Sequence, residues 1–406
     1  MSPDDPNDFD AFGNPFAKFF GGQDFNAIMA DMQSMFESHD GPVNVKRARE
    51  VAHEGVKAED SSVPPADEAA VKDAFTLADQ WLDAATDLPA VAITGRAWNR
   101  GQWVDGTIES WATLIGPITI RTNKSLEAVM PEEMRQQAQP VIAMINQISG
   151  SLVGQQIGTG VALLAKEVMS STDVGLPMAP EHVGALLPKH LRKFAAELDI
   201  PLTDTFLFFA LRELAHIRLF DHAPWLMNQI TTAMLDTSEA TVPDYSAIES
   251  IATENPQLLL NFDIEDYLTP ESRIARDAAL ERLDTLLALI EGWVDNVIEQ
   301  AAGDKLASFA KLSEAMRRRR AAGGPAEEAF AAMVGLEFGP KRLRDAARLW
   351  STISARKGQS ARDEVWSHPD WLPTSADLAD PLGYGESDEL DEQIAQLLEE
   401  DQRPNE

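Results

Sequence analysis

The sequence contains no cysteine among its 406 residues. This absence excludes disulfide bonds, thiolate metal sites and cysteine nucleophiles together, so any bound metal must be held by His, Asp or Glu. The opening residues, MSPDDPNDFDAFGNPF, also lack the basic segment and apolar run of a secretory signal. We therefore expect a cytoplasmic protein.

Positive charge is scarce in the chain. The 34 Lys and Arg residues stand against 66 Asp and Glu residues, which gives a formal net charge of −32 at pH 7. Such an excess of negative charge opposes non-specific binding to nucleic acid and to anionic lipid. Neither nucleic acid nor a membrane is expected as a partner.

The two ends of the chain differ in composition from its middle. Residues 1–42 are rich in Asp, Gly, Pro and Phe, which predicts a flexible N-terminal tail whose phenylalanines could dock on a partner or on the folded body. Residues 376–406 are strongly acidic and predict a solvated, disordered C-terminal tail. Residues 43–375 are expected to form a single large helical domain, with a possible subdivision near 170–200.

Apolar residues recur at helical spacing along most of the middle of the chain, and strand patterns are sparse. The predicted fold class is therefore mainly α, with short extended pieces at DVGLPM and HVGALLP. One apolar stripe, formed by Trp103, Thr107, Trp111 and Leu114, is expected to lie in the core. Helices are predicted near residues 44–57, 67–87, 131–169, 204–222, 268–303, 304–321, 325–335 and 340–356.

A glycine-rich stretch, ISGSLVGQQIGTGVALL, places Gly150, Gly154 and Gly158 four residues apart on one helix face. Gln155 and Gln156 interrupt its apolar run, so it cannot supply a membrane span of about 20 residues. The stretch predicts a helix that another backbone approaches closely.

The stretch LFFALRELAHIRLFDHAPWL, residues 207–226, differs by one letter from the helical zinc motif H-E-x-x-H. Arg212 stands where the motif has its first histidine, Glu213 stands at the general-base position, and His216 is the second histidine. An arginine cannot ligate a cation, because it stays protonated and has no acceptor atom.

The helix that carries this motif is apolar nearly all round, which predicts that it is buried. Buried charges must be paired or bound to a ligand. On a helix, Arg212 lies about 40° and Glu213 about 60° from His216, so all three are expected to face one sector. That sector requires a partner from another helix.

Glu291 is the candidate partner. It is a lone carboxylate in the similarly apolar stretch TLLALIEGWVDNV, and Asp295 follows one turn later on the same face. We expect the guanidinium of Arg212 to occupy the position of the metal and to form ion pairs with Glu291 and Glu213.

The chain resembles an actinobacterial zincin-like family of zinc-dependent metalloproteases and proposed hydrolases, one branch of which is associated with biosynthesis of a deazaflavin coenzyme. The resemblance is carried in order by AWNRGQWVDGTIESW, GSLVGQQIG, LRELAHIRLFDHAPWL, LLALIEGWVDNV and VWSHPDWLPTSADLADPLG. It implies a mostly helical zincin-like domain with zinc as cofactor. Position by position, it places the first zinc ligand at Arg212, the general base at Glu213, the second ligand at His216 and the third at Glu291.

Two hypotheses follow for the function. The first is a degenerate zincin that binds no zinc and serves as a binding or scaffold protein for a peptide or protein partner. The alternative is an active zinc-dependent metalloprotease or hydrolase with Glu213 as general base. The alternative needs a replacement ligand, and the nearest histidine, His222, lies about 120° from His216 around the helix.

A different metal chemistry is a third hypothesis. REVAH, residues 49–53, repeats the R-E-x-x-H spacing, so Glu50/His53 and Glu213/His216 form two E-x-x-H pairs, as in di-iron carboxylate bundles. The helix that carries His53 is highly charged and is expected at the surface, which disfavours this hypothesis.

A basic cluster, Arg317–Arg320, raises a nucleic-acid hypothesis together with further basic residues that follow it (Lys341, Arg342, Arg344 and Arg348). Few aromatic residues are interleaved with these side chains, and the chain is strongly acidic. We expect them instead to pair with carboxylates at helix ends and on the surface.

Overall fold

The computed structural model describes residues 38–128, 139–240, 268–321 and 342–384. The predicted helix near 325–335 and most of the two predicted tails lie outside these ranges. The described part is mainly α, as predicted. Its helices are α1 (Val45–Val56), α2 (Pro65–Leu82), α3 (Arg100–Ala128), α4 (Gln139–Leu164), α5 (Pro188–Glu197), α6 (Leu202–His222), α7 (Trp225–Ala240), α8 (Pro270–Ala302), α9 (Phe309–Ala321), α10 (Leu343–Glu364) and α11 (Ser375–Ala379).

Two short strands complete the described fold. Strand β1 (Thr94–Ala97) pairs in parallel with β2 (Val183–Leu186), with Gly95 opposite Gly184. The prediction of an extended piece at HVGALLP is confirmed by β2, whereas the one at DVGLPM is wrong, because those residues form turns. Strand β1 escaped prediction because TGRA is too short to show an apolar alternation.

The motif helix α6 spans Leu202–His222 and runs through the centre of the protein. The predicted cap at Thr203 or Asp204 is wrong, since the helix begins directly after Pro201 without a side-chain cap. The predicted end before Pro224 is confirmed. Fifteen residues of α6 are buried, so its few charged side chains must find partners inside the protein.

Helix α8 is the longest described helix and lies beside α6. The Thr269 side chain accepts a hydrogen bond from the Ser272 N–H, and Pro270 occupies the first helical position. Gly292 allows α10 to pack closely, because a Cβ there would lie 2.8 Å from the Cβ of Ala346. The close approach at Gly292 is therefore to the Cβ and carbonyl carbon of Ala346 and to the backbone nitrogen of Ala347.

The aromatic stripe of α3 lies in the core, as predicted. Trp103, Thr107, Trp111 and Leu114 are all buried. Large aromatic side chains contribute strongly to the burial of apolar surface. Helix α3 is therefore part of the main core and not a peripheral addition.

A buried polar network joins helix α10 to the rest of the fold. Asp363 accepts hydrogen bonds from Trp293 Nε1 at 2.9 Å and from the Thr86 hydroxyl at 2.8 Å. Its neighbour Arg362 donates to Asp363, to the carbonyl of Ala85 at 2.8 Å and to α8. Because Trp293 lies two residues after Glu291, this network holds α8 in place close to that carboxylate.

The folded body extends past the predicted boundary at residue 375. Helix α11 begins at Ser375, with Thr374 as its cap, and buries Leu378. The hydroxyl of Tyr384 donates to the carbonyl of Trp371. The first part of the predicted C-terminal tail therefore packs on the domain, because LADPLGY carries apolar anchors among its acidic residues.

Within the described ranges, no helix has both the length and the apolar character needed to cross a membrane.

Another backbone approaches the glycine stripe of α4 closely, as predicted, and it is that of α1 and its preceding residue Asn44. A Cβ at Gly154 would meet the carbonyl oxygen of Asn44, and one at Gly158 would meet that of Ala48. The Asn44 N–H donates to the carbonyl of Gly150 at 2.9 Å. The two helices therefore approach each other at a distance that only glycine permits.

Replacing Gly158 tests this packing. We expect Gly158→Ala to lower the free energy of unfolding by about 1–3 kcal/mol, because the added methyl group must displace the backbone of α1. Chemical denaturation measures the change. Thr159→Ala, at the neighbouring exposed position, is the control and should change stability by less than about 0.5 kcal/mol. Equal stability of both variants would contradict the close approach.

Candidate functional site

The charged residues of the motif are buried inside the protein. Arg212, Glu213 and His216 are 4%, 0% and 1% exposed. On the facing helix α8, Glu291 is 4% exposed. Because an unpaired charge at such depth would be strongly destabilising, the partners of each side chain determine what the site can do.

Arg212 pairs with two carboxylates of α8. Its Nη2 donates to Glu291 Oε2 at 2.6 Å, and its Nη1 donates to Asp295 Oδ1 at 2.5 Å. The ion pair with Glu291 is the one predicted, and Asp295 joins it from the next turn. The guanidinium thus lies between α6 and α8.

A second arginine, Arg320, also contacts this carboxylate. Its Nη1 forms an ion pair with Glu291 Oε2, and its side chain is 9% exposed. It comes from the last turn of α9, which packs against α6 and α8. The cluster to which Arg320 belongs was expected to form surface ion pairs, so this buried contact was missed.

The other arginines of the cluster divide between the site and the surface. Arg319 pairs with Asp173 at 3.0 Å, and Arg317 lies 3.9 Å from Asp295. Arg318 pairs with Glu314 in solvent. The available signal was the three-residue spacing of Arg317 and Arg320, which puts both on one helix face.

His216 faces two acceptors. Its Nδ1 lies 2.8 Å from the backbone carbonyl of Arg212, and its Nε2 lies 3.0 Å from Glu291 Oε1. A neutral ring carries one N–H, so it donates to only one of these two acceptors at a time. Donation from Nδ1 to a backbone carbonyl is the arrangement that metal-binding histidines commonly adopt.

Burial, with the guanidiniums of Arg212 and Arg320 acting in the same direction, lowers the pKa of His216 to about 3. The imidazole is therefore neutral at neutral pH. Two positive charges already surround Glu291, so a third on the ring is disfavoured.

Glu213 points to a different set of partners from Arg212. Its carboxylate accepts hydrogen bonds from the Ser171 hydroxyl, from the N–H and hydroxyl of Thr172 at 3.0 and 2.6 Å, and from the Ala185 N–H at 3.0 Å. The predicted Arg212–Glu213 ion pair is wrong. Glu213 instead ties α6 to β2 and to the loop before it.

The same loop lies over Glu291. Gly175 has a φ of +82°, and a Cβ there would lie 3.1 Å from Glu291 Oε1. Glycine is therefore required both by the backbone conformation and by the contact. The loop covers the carboxylate on the side that the arginines leave open.

The donor set does not fit a zinc ion. A catalytic zinc site uses three protein ligands, whereas His216 and Glu291 supply two and Arg212 supplies none. In the parts of the chain described above, no cluster of three or more His, Asp or Glu side chains could hold a metal ion. The resemblance implied zinc, and these residues do not provide for it.

The other candidate histidines lie away from this site. His222, at the end of α6, is exposed. His53, on α1, is 42% exposed and lies 2.9 Å from Asp105 Oδ1, and Glu50 is exposed. The residues of the second E-x-x-H pair are thus at the surface, as expected.

Comparison with known proteins gives two matches. A family model for zincin-like metallopeptidases matches residues 43–384. A solved structure, of a proposed hydrolase with a novel fold from Chloroflexus aurantiacus, is similar with a TM-score of 0.56 and 18% sequence identity. The match covers 84% of this chain and 96% of that one, and at this identity it shows the fold alone. The curated proteins give no match.

Replacing Glu213 tests whether it holds the fold together. We expect Glu213→Gln to lower the free energy of unfolding by about 2–3 kcal/mol, because the amide group would face hydrogen-bond donors in a buried site. Thermal and chemical denaturation measure this loss. The exposed Glu299→Gln is the matched control and should be near neutral. Unchanged stability of Glu213→Gln would show that its four hydrogen bonds contribute little.

Proposed function

The chain belongs to the zincin-like metallopeptidase family, and we propose that it is a member with a degenerate site, which binds no catalytic zinc and serves as a binding or scaffold protein. The observation that carries the proposal is the 2.6 Å contact between the Arg212 guanidinium and Glu291. This contact puts a fixed side-chain cation at the position of the first zinc ligand.

The charge balance of the site supports this proposal. A zinc ion would bring two positive charges to the site, and the guanidiniums of Arg212 and Arg320 together bring two, of which Arg212 is shared between Glu291 and Asp295. A buried carboxylate must be neutralised by one route or the other. Since both guanidiniums contact Oε2, a further cation at the same oxygen would be repelled.

The position of Glu213 supports the proposal independently. A general base for hydrolysis must reach the attacking water. Here the Glu213 carboxylate accepts hydrogen bonds from Ser171, Thr172 and Ala185 and is fully buried. An active zinc-dependent metalloprotease or hydrolase, the alternative, would need Glu213 released and both guanidiniums withdrawn.

The proposed partner is a peptide or another protein. Nucleic acid is disfavoured by the net charge of −32 and by the pairing of the basic cluster with carboxylates. That the family is the actinobacterial one with a branch associated with biosynthesis of a deazaflavin coenzyme stays a prediction from the resemblance.

Metal analysis of the purified full-length chain, with and without added zinc, tests the proposal directly. We expect no stoichiometric zinc in either sample, because among the described residues the ligand positions offer only His216 and Glu291, with a guanidinium at the first-ligand position. One tightly bound equivalent that disappears in a His216→Ala variant would overturn the degenerate site.

Restoring the missing histidine tests the assignment of Glu291. Arg212→His alone leaves the Arg320 guanidinium on the carboxylate, so we expect it to bind zinc weakly. Adding Arg320→Met should raise zinc affinity about tenfold or more, because one nearby positive charge is removed. Calorimetric titration measures the affinity.

The matched control adds Arg318→Met to Arg212→His. Arg318 is 72% exposed and pairs with Glu314, so its removal should leave zinc affinity unchanged. A folded Arg212→His/Arg320→Met variant without zinc binding would contradict Glu291 as the third-ligand position.

A further inference from the structure

The outer face of helix α4 is apolar and exposed. Five large apolar residues form this face and are between 42% and 56% exposed (Val141, Met144, Ile145, Leu152 and Leu163). They fall within about 100° of one another around the helix, and the buried residues of α4 lie on the opposite side. Half of the ten exposed large hydrophobic residues of the described surface belong to this one face. Such a group commonly marks an interaction surface.

Helix α4 is also free of charged residues. Its 26 residues include no Asp, Glu, Lys or Arg, although the chain has a formal net charge of −32. The two helices α1 and α3 that pack on it are nearly balanced, because α1 has three basic and two acidic residues and α3 has three of each. These three helices form a neutral layer that carries almost none of the negative charge of the chain.

This charge distribution determines which partner the outer face suits. Two copies of a strongly acidic chain repel each other, and the repulsion is smallest when their neutral layers meet. A basic partner would instead be attracted to the acidic parts of the surface. Gln155 and Gln156, on the same side of α4, carry both donor and acceptor groups, so they can pair with the same residues of a second copy. The outer face is therefore suited to its own counterpart.

We propose that the outer face of α4 is the interface of a homodimer, in which two α4 helices pack antiparallel across a two-fold axis near Ile148. Val141, Ile145, Ile148 and Leu152 are spaced by four, three and four residues, which is the spacing of a seam between paired helices. A two-fold axis puts the same surface on both copies. With the axis near Ile148, Ile145 of each copy lies opposite Leu152 of the other.

The size and charge of this interface set the strength of the dimer. One helix pair is a small interface, so we expect a dissociation constant on the order of micromolar. Because the two acidic bodies repel each other, raising the ionic strength from about 0.05 M to about 0.5 M should strengthen the association. A dimer held by ion pairs would weaken under the same change.

Sedimentation velocity of the full-length chain tests the proposal. We expect a monomer–dimer equilibrium that Ile145→Glu/Leu152→Glu weakens by about a hundredfold or more, because like charges would then face each other across the seam. The matched control, Leu77→Glu/Ile274→Glu, replaces exposed apolar residues of α2 and α8 and adds the same charge. It should dimerise as the unchanged chain does. Circular dichroism checks that both variants keep their helices.

A single cysteine shows what covers the outer face, because the chain has none of its own. In a Leu152→Cys variant, the thiol should resist a maleimide reagent at high protein concentration and react on dilution. A chain that stays monomeric at about 0.1 mM in high salt, or a dimer that Ile145→Glu/Leu152→Glu leaves intact, would overturn the proposal. A protected thiol in a monomer would overturn it in favour of another segment of this chain.

Discussion

The buried carboxylate of Glu291 imposes the main electrostatic constraint on this protein. It lies on the apolar helix α8 and is 4% exposed, so it must be neutralised from within the fold. Arg212 from α6 and Arg320 from α9 provide the charge, and His216 contacts the second oxygen. Helices α6 and α9 are thereby held to one carboxylate of α8. The same ion pairs therefore set both the packing of these helices and the charge of the site.

The rest of the fold keeps Glu291 in place. Gly292 allows α10 to approach α8, and Trp293 donates to Asp363 at the end of α10. Glu213, about one turn before His216 on α6, accepts a hydrogen bond from the Ala185 N–H and so ties α6 to β2. The motif helix is therefore anchored at both sides by buried polar groups. Such networks are costly to disturb, because removing one member leaves another unsatisfied.

The Arg212–Glu291 pair could be predicted because each residue is a conspicuous charge in an apolar helix, and few partners were available. Glu213 could not be placed in the same way, since its partners are hydroxyls and backbone N–H groups of loop 171–172 and β2, which carry no periodic signal. Arg320 was missed for the opposite reason, because a run of four arginines is typical of a solvated surface. Mainly α architecture and most helix positions follow from periodicity, whereas the four-residue strand β1 is too short to show it.

The proposed replacement of a metal by side-chain cations would also change what the stability of the fold depends on. When a metal holds helices together, part of the folding free energy is supplied by metal binding and varies with metal and pH. A guanidinium stays protonated and is covalently attached to the chain, so its charge is always present. In the proposed degenerate site, α6, α8 and α9 would keep their arrangement without a metal. If the proposed degenerate site is correct, the substitution at Arg212 and the contact of Arg320 together explain how the family's architecture would persist without zinc.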